Sequence, residues 1–136
     1  MDDCIFCRII ARQALAYVLH EDDRVIVFLS LESHPLVVTK AHIPDIYTLN
    51  NDNAAAIMRT AVRVARAVKV GLGCDGVYLA QANEPAAGQD VFHFHLHVYP
   101  RWRGDGLRFI GPPQQTDPAV MARLREQIRA AFHWAE

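Results

Sequence analysis

From Phe92 to Val98 the chain alternates apolar side chains with His93, His95 and His97 without a break. A period of two belongs to a β-strand, where successive side chains point to opposite faces. One face of such a strand carries three imidazoles in a row, and the other carries Phe92, Phe94, Leu96 and Val98 for a core. Residues two apart lie roughly 6.5–7 Å apart along a strand, so neighbouring rings can serve one small site. The chain must therefore build a sheet around this strand, cover its apolar face and leave room over its histidines. The pattern predicts a strand over residues 92–99, stopped by Pro100, which lacks the N–H a ladder needs.

The flanking sequence predicts the rest of that sheet. Residues 4–10 read as a helical turn. Residues 17–19 and 25–29 read as strands around the turn Glu21-Asp22-Asp23, and residues 36–39 as the next strand. Asn50 to Asn53 offer N-caps for a long helix to about Val70. Ile57, Ala61, Val64, Ala65 and Val68 form its apolar stripe, Arg59, Arg63 and Arg66 lie mostly off it, and Gly71 and Gly73 end it. A strand over 77–82 follows. Thr116 or Asp117 caps a last helix with Pro118 at its first position. Val120, Leu124, Ile128 and Phe132 form that helix's apolar face. Strands outnumber helices and their links are mostly short, which is the pattern of an α+β domain with a mainly antiparallel sheet.

Length and composition agree. The chain has 136 residues, 51% apolar and 21% charged, enough for one core and too apolar for wholesale disorder. The net charge of -1 disfavours a nucleic-acid coat or a binder of acidic membranes. No apolar run approaches the ~20 residues of a membrane span. The opening MDDCIFCRII has no basic segment of the secretory kind. Three cysteines are too few for a secreted disulfide scaffold, so a reducing, cytoplasmic setting is expected.

The histidine face admits three readings: solvated polar positions, a three-histidine catalytic metal site, or a nucleophilic imidazole with helpers. Cys4 and Cys7 form C-x-x-C. Joined by His42 and one of the strand histidines, they would complete the Cys₂His₂ tetrahedron of a structural zinc. A thioredoxin-like redox pair is the rival, but that motif opens a helix after a strand, and only Met1 to Asp3 precede Cys4. Before the histidines, residues 81–89 are small and turn-forming, and Asn83 and Gln89 could donate amide hydrogens to phosphate oxygens. After them, Arg101, Arg103 and Arg108 could neutralise phosphate charge. Cys74, His20, His133, Trp102, Asp22 and Asp75 read as packing, surface or turn residues.

His93-Phe-His95-Leu-His97-Val-Tyr-Pro-Arg resembles the His-x-His-x-His motif of the histidine-triad (HIT) nucleotide-binding superfamily. The likeness continues, in order, through Cys4-Ile-Phe-Cys7, Glu21-Asp-Asp, Phe28-Leu29, His34-Pro-Leu-Val-Val-Thr-Lys40-Ala-His42, Asn83 and Ala87-Gly88-Gln89. The motifs cover about residues 4–106 of a single domain spanning 1–136. A final helix at about 117–135 lies outside them.

The resemblance implies a mainly antiparallel five-stranded sheet with one long helix, a homodimer, and a nucleotide site beside the triad. It implies hydrolysis or transfer of nucleoside monophosphate groups from phosphoramidates or dinucleoside polyphosphates. His95 would be the nucleophile on the α-phosphorus, His97 would contact the phosphate or the leaving atom, and Gln89 and Asn83 would hold phosphate oxygens. His34 would line the pocket. Cys4, Cys7, His42 and His93 would hold one structural zinc per chain. Ser30 stands where many members place a ribose-binding Asp or Asn, the Ser30 to Ser33 loop is shorter than usual, and Thr39 replaces a common proline. Two rival functions accompany the hydrolase: a non-catalytic nucleotide-binding adaptor, and a metalloenzyme with metal on the triad.

Overall fold

A computed structural model describes residues 3–107 and 116–132. Its chain falls into two compact units, Met1–Asp105 and Gly106–Glu136. The first holds a five-stranded antiparallel sheet. Its strands are β1 (Val18–Glu21), β2 (Val25–Leu29), β3 (Pro35–Thr39), β4 (Gly76–Ala80) and β5 (His95–Arg101), in the order β1-β2-β3-β5-β4. Two helices accompany it, α1 (Ile5–Ile10) and α2 (Asn51–Leu72). The α+β class and the sheet of the sequence reading are both present.

Two apolar layers sandwich the sheet. Val25, Val27, Val37, Phe94 and Val98 face α2 and meet its Ala56, Ile57, Ala61, Val64 and Val68. Ile26, Phe28, Leu36 and Val38 face the other way and meet Phe6 and Ile9 of α1. Because both faces are covered, β2 and β3 read as unbroken apolar runs rather than alternating ones. The histidines of β5 share the α1 side, so the N-terminal segment lies over the chemistry-bearing face.

Local chemistry sets the connections. Asp22 Oδ1 accepts from the N–H groups of Arg24 and Val25, both at 2.9 Å, and closes the β1–β2 turn. The β2–β3 hairpin is tight: Ser30 N–H donates to His34 O at 2.8 Å, and Ser33 N–H donates to Ser30 O at 2.9 Å. Ser33 sits at φ +72°, the left-handed residue that ends a three-residue hairpin loop. Asn50 caps α2 through Asn53 N–H, and left-handed Gly73 ends it.

The structure differs from the sequence reading at several boundaries. β5 begins at His95, not Phe92, because the N–H of Phe94 donates to Ile43 O at 2.6 Å in the loop after β3. Phe92 is exposed and joins no core. Pro100 lies within β5 opposite Val77. Pairing with β3 ends at His97, so a missing N–H at Pro100 costs no bond on that side. β4 ends at Ala80 rather than residue 82, and α2 passes Gly71 to stop at Gly73.

In the second unit α3 spans Pro118–Ala130, capped by Asp117 with Pro118 at its start. Its described residues are all unburied, so the expected apolar face of Leu124, Ile128 and Phe132 is exposed. Arg108 and His133 lie outside the described residues.

Candidate active site and metal centre

Cys4 caps α1, and its Sγ accepts from Cys7 N–H at 3.4 Å, so one helical turn places both thiols together. His42 follows β3, and His93 approaches β5. The Sγ atoms of Cys4 and Cys7 and the Nδ1 atoms of His42 and His93 all lie within 4.8 Å of one another. Cys7 Sγ is 3.2 Å from His42 Nδ1 and 3.6 Å from His93 Nδ1, and Cys4 Sγ is 3.3 Å from His93 Nδ1. A tetrahedral ion with bonds of about 2.0–2.3 Å has sulfur–nitrogen edges of about 3.5 Å, so this donor set fits one.

The surroundings prepare the donors. Thr39 O can only accept, so His93 must carry its proton on Nε2, 2.6 Å away, which leaves the Nδ1 lone pair for a cation. Burial lowers the His93 pKa and favours the neutral ring a metal needs. Burial, and then the adjacent Cys4, raises the Cys7 pKa. As thiolates the two would repel each other unless a cation lay between them. These four residues could hold a metal ion.

Beside them lies a cleft of about 820 Å³ with Phe6, Ile9, Phe28 and Leu36 in its apolar walls and His34, His95 and His97 among its polar groups. His95 is buried, and its ring meets Phe6 edge-on at 5.0 Å. His93 O accepts from His95 Nδ1–H at 2.7 Å. In that tautomer Nε2 keeps a free lone pair, which could act as a nucleophile. Asp90 places its Oδ1 3.9 Å from that Nε2.

His97 Nδ1 lies 2.8 Å from His34 Nε2 and 3.3 Å from the Tyr99 hydroxyl, and His34 Nδ1 lies 3.1 Å from Ser30 Oγ. Burial, then the nearby His95 and His34, lowers the His97 pKa from 6.5 to about 4. His34 is lowered too, mainly by burial. Both rings are neutral at pH 7, so each has one donor and one acceptor nitrogen.

Ser30, His34, His95 and His97 thus meet in one cleft, whereas Asn83 and Gln89 are not among its lining residues. Gln89 is buried. Its Nε2 donates to Pro44 O at 2.7 Å and Val91 O at 3.2 Å, and its Oε1 accepts from Glu84 N–H at 2.7 Å. Asn83 exchanges amide hydrogen bonds with Gln81 and accepts from Ile46 N–H at 2.8 Å. Both amides brace the loop that leads to Asp90. Arg101 pairs with Asp105 at 2.7 Å and Arg103 N–H donates to Asp75, and neither lines the cleft.

Sequence reasoning missed several residues here. Phe6 had a signal, an aromatic ring between the two cysteines. Thr39 acts through its carbonyl, which no residue type reveals. Asp90 and Tyr99 flank the triad but carry no spacing signature.

A fold of this kind, with His95 and His97 on one strand over a nucleotide-sized cleft and His93 just before that strand, defines a histidine-triad protein. The family model of the HIT domain matches residues 11–104, and the chain belongs to the HIT family. It is 34% identical over 111 residues to protein hit of Bacillus subtilis, covering 78% of this chain and 77% of that protein. It is 31% identical over 117 residues to adenylylsulfatase HINT3 of Arabidopsis thaliana, covering 79% of this chain but 59% of that protein. Among solved structures, a HIT family protein from Bacillus anthracis superposes with TM-score 0.89 at 33% identity, covering 97% of this chain and 99% of that one. A Zn-bound histidine triad family protein from Mycobacterium smegmatis superposes with TM-score 0.74 at 34% identity, covering 96% and 99%.

Proposed function

We propose that this chain hydrolyses or transfers nucleoside monophosphate groups through a covalent intermediate on His95. One observation carries the reading: the hydrogen bond from His95 Nδ1–H to the carbonyl of His93, just before the strand, which presents an unprotonated Nε2 to the cleft. A pure nucleotide-binding adaptor has no need of that lone pair. The apolar wall of Phe6, Ile9 and Phe28 suits a nucleobase, with the α-phosphorus beside His95. The Nε2 lone pair forms a bond to phosphorus as the bond to the leaving group breaks and its electron pair departs. Water then attacks phosphorus, His95 leaves, and a nucleoside monophosphate is released. The net reaction consumes one water.

The substrates in view are nucleoside phosphoramidates, dinucleoside polyphosphates and adenylylated anions such as the sulfate conjugate named in the plant relative. His34 and His97 line the phosphate side. Gln89 and Asn83 support the site as braces of the loop before it, because their amides are already engaged. The metal is zinc, one per chain, held by Cys4, Cys7, His42 and His93. The Zn-bound relative supports the choice. When bound, the ion neutralises the two thiolates and ties the N-terminal segment to the sheet. The chain is expected to work as a homodimer in the cytoplasm, without nucleic acid as its main partner. Among the described residues no helix is long and apolar enough to cross a membrane.

The test is release of AMP from adenosine monophosphoramidate and a diadenosine polyphosphate, wild type against His95→Ala, at equal zinc content. Loss of at least about 10³-fold in the variant is expected from removing a nucleophile. Binding of AMP by both proteins with turnover by neither would favour the adaptor.

A further inference from the structure

The β2–β3 hairpin places Ser30 where its hydroxyl is fully engaged. Its Oγ accepts from Glu32 N–H at 3.1 Å and from His34 N–H at 3.3 Å, and it lies 3.1 Å from His34 Nδ1. A hydroxyl has two lone pairs and one hydrogen. With both lone pairs taken by backbone N–H groups, the hydrogen is what remains for His34 Nδ1. His34 must then carry its proton on Nε2, and it donates that proton to His97 Nδ1 across 2.8 Å. The Tyr99 hydroxyl, 3.3 Å from the same Nδ1, can be a second donor. His97 is left with its own proton on Nε2, the ring nitrogen available to a ligand in the cleft.

We propose that Ser30 is a positioning residue that fixes, through His34, the tautomer in which His97 offers an N–H to the leaving group rather than a lone pair. The inference rests on the nucleotidyl-transfer reading of the same cleft. The chain of hydrogen bonds orients protons and moves none. A donor aimed at the atom where charge develops lowers the barrier, while a lone pair aimed there raises it. The short loop makes this possible, because only three residues separate Ser30 from His34 and the Ser30 hydroxyl turns back onto that ring. Ser30 is therefore committed to the histidines and not to a ribose.

The direction of the chain depends on a donor at position 30. Aspartate can accept the same two backbone N–H groups and keep the turn. However, a carboxylate can only accept from His34 Nδ1–H. Ser30→Asp should therefore reverse every bond: His34 would protonate on Nδ1, His97 would donate from Nδ1 to His34 Nε2, and His97 Nε2 would face the cleft as a lone pair. Ser30→Thr keeps a hydroxyl and should keep the original tautomers.

The experiment is long-range proton–nitrogen NMR on the full chain as purified, labelled with ¹⁵N-histidine, with His34→Gln and His97→Gln to assign the two rings. The expected result is His97 protonated on Nε2 in the wild type and in Ser30→Thr, and on Nδ1 in Ser30→Asp. A wild type protonated on Nδ1, or a Ser30→Asp spectrum like the wild type, overturns the inference. The kinetic arm compares nucleoside phosphoramidates of an alkylamine with nucleotide esters of nitrophenol. Ser30→Asp should lower kcat about 10²-fold for the poor leaving group and less than about 3-fold for the good one. Equal losses on both overturn the role toward the leaving group. If the tautomers follow expectation but the wild type transfers no nucleotide, the catalytic reading fails and the tautomer assignment stands.

Discussion

His97 is packed among rings, 5.1 Å from His34, 5.0 Å from His95 and 5.4 Å from Tyr99 between centroids. Its pKa of about 4 in the fold lies below the ordinary 6.5. The unfolded chain therefore binds a proton more readily than the folded one between those values. The neutral ring's contribution to stability is complete above about pH 6.5 and is lost as pH falls through about 4. Urea midpoints from pH 7 to pH 4 should fall more steeply for the wild type than for His97→Gln. Parallel slopes would contradict the burial argument. Ser33 gives a second prediction. Its left-handed φ of +72° favours glycine, so Ser33→Gly should stabilise the fold by up to about 1 kcal/mol, offset in part by glycine's extra freedom when unfolded. Thermal melting checks the sign.

At this scale the candidate site was largely legible. His95, His97 and the cysteine pair announce themselves by spacing, and Cys74 is the packed thiol that its context suggested. The roles of Gln89, Asn83 and Ser30 were not legible, because a side chain's donors and acceptors can be spent locally. Gln89 gives its amide to Pro44, Val91 and Glu84, and Ser30 gives its hydroxyl to its own hairpin.

Among the elements, β2 and α2 were the most readable. β2 lies at residues 25–29 as its apolar run indicated, and α2 begins at its Asn50 cap. Asn50→Ala should cost about 1 kcal/mol by leaving the Asn53 N–H without its cap. The start of β5 was less readable, because alternation continues through Phe92 and His93 while the hydrogen bonds do not. Phe94 turns to Ile43, a partner 51 residues earlier that no local pattern announces. Inside β5, Val98 is fully buried against the α2 layer. Val98→Ala should cost about 2–3 kcal/mol from lost burial and the cavity left behind. Chemical denaturation measures it, and a loss below about 0.5 kcal/mol would contradict that packing. The apolar stripe of α3 was visible in sequence, but a stripe alone does not say what covers it.

For the molecule as a whole, the cluster of Cys4, Cys7, His42 and His93 joins three stretches of chain that sequence separates: the α1 turn, the segment after β3 and the approach to β5. Phe6, between the two cysteines, packs at 5.8 Å from the His93 ring and 5.0 Å from the His95 ring. Removing the proposed zinc should therefore release the α1 cover and lower the melting temperature, with activity lost alongside that loosening. Calorimetry with a chelator, set against Cys4→Ser and Cys7→Ser, tests this. Turnover lost upon chelation with no change in melting would point instead to metal on the triad.

The central claim is that His95 carries the nucleotide. The most direct measurement is rapid-quench intact-mass analysis during turnover of adenosine monophosphoramidate. One AMP should be added per active chain at His95, forming and decaying at rates that match product release, with no adduct in His95→Ala. Turnover at the wild-type rate in His95→Ala, or an adduct mapped to another residue, would contradict it.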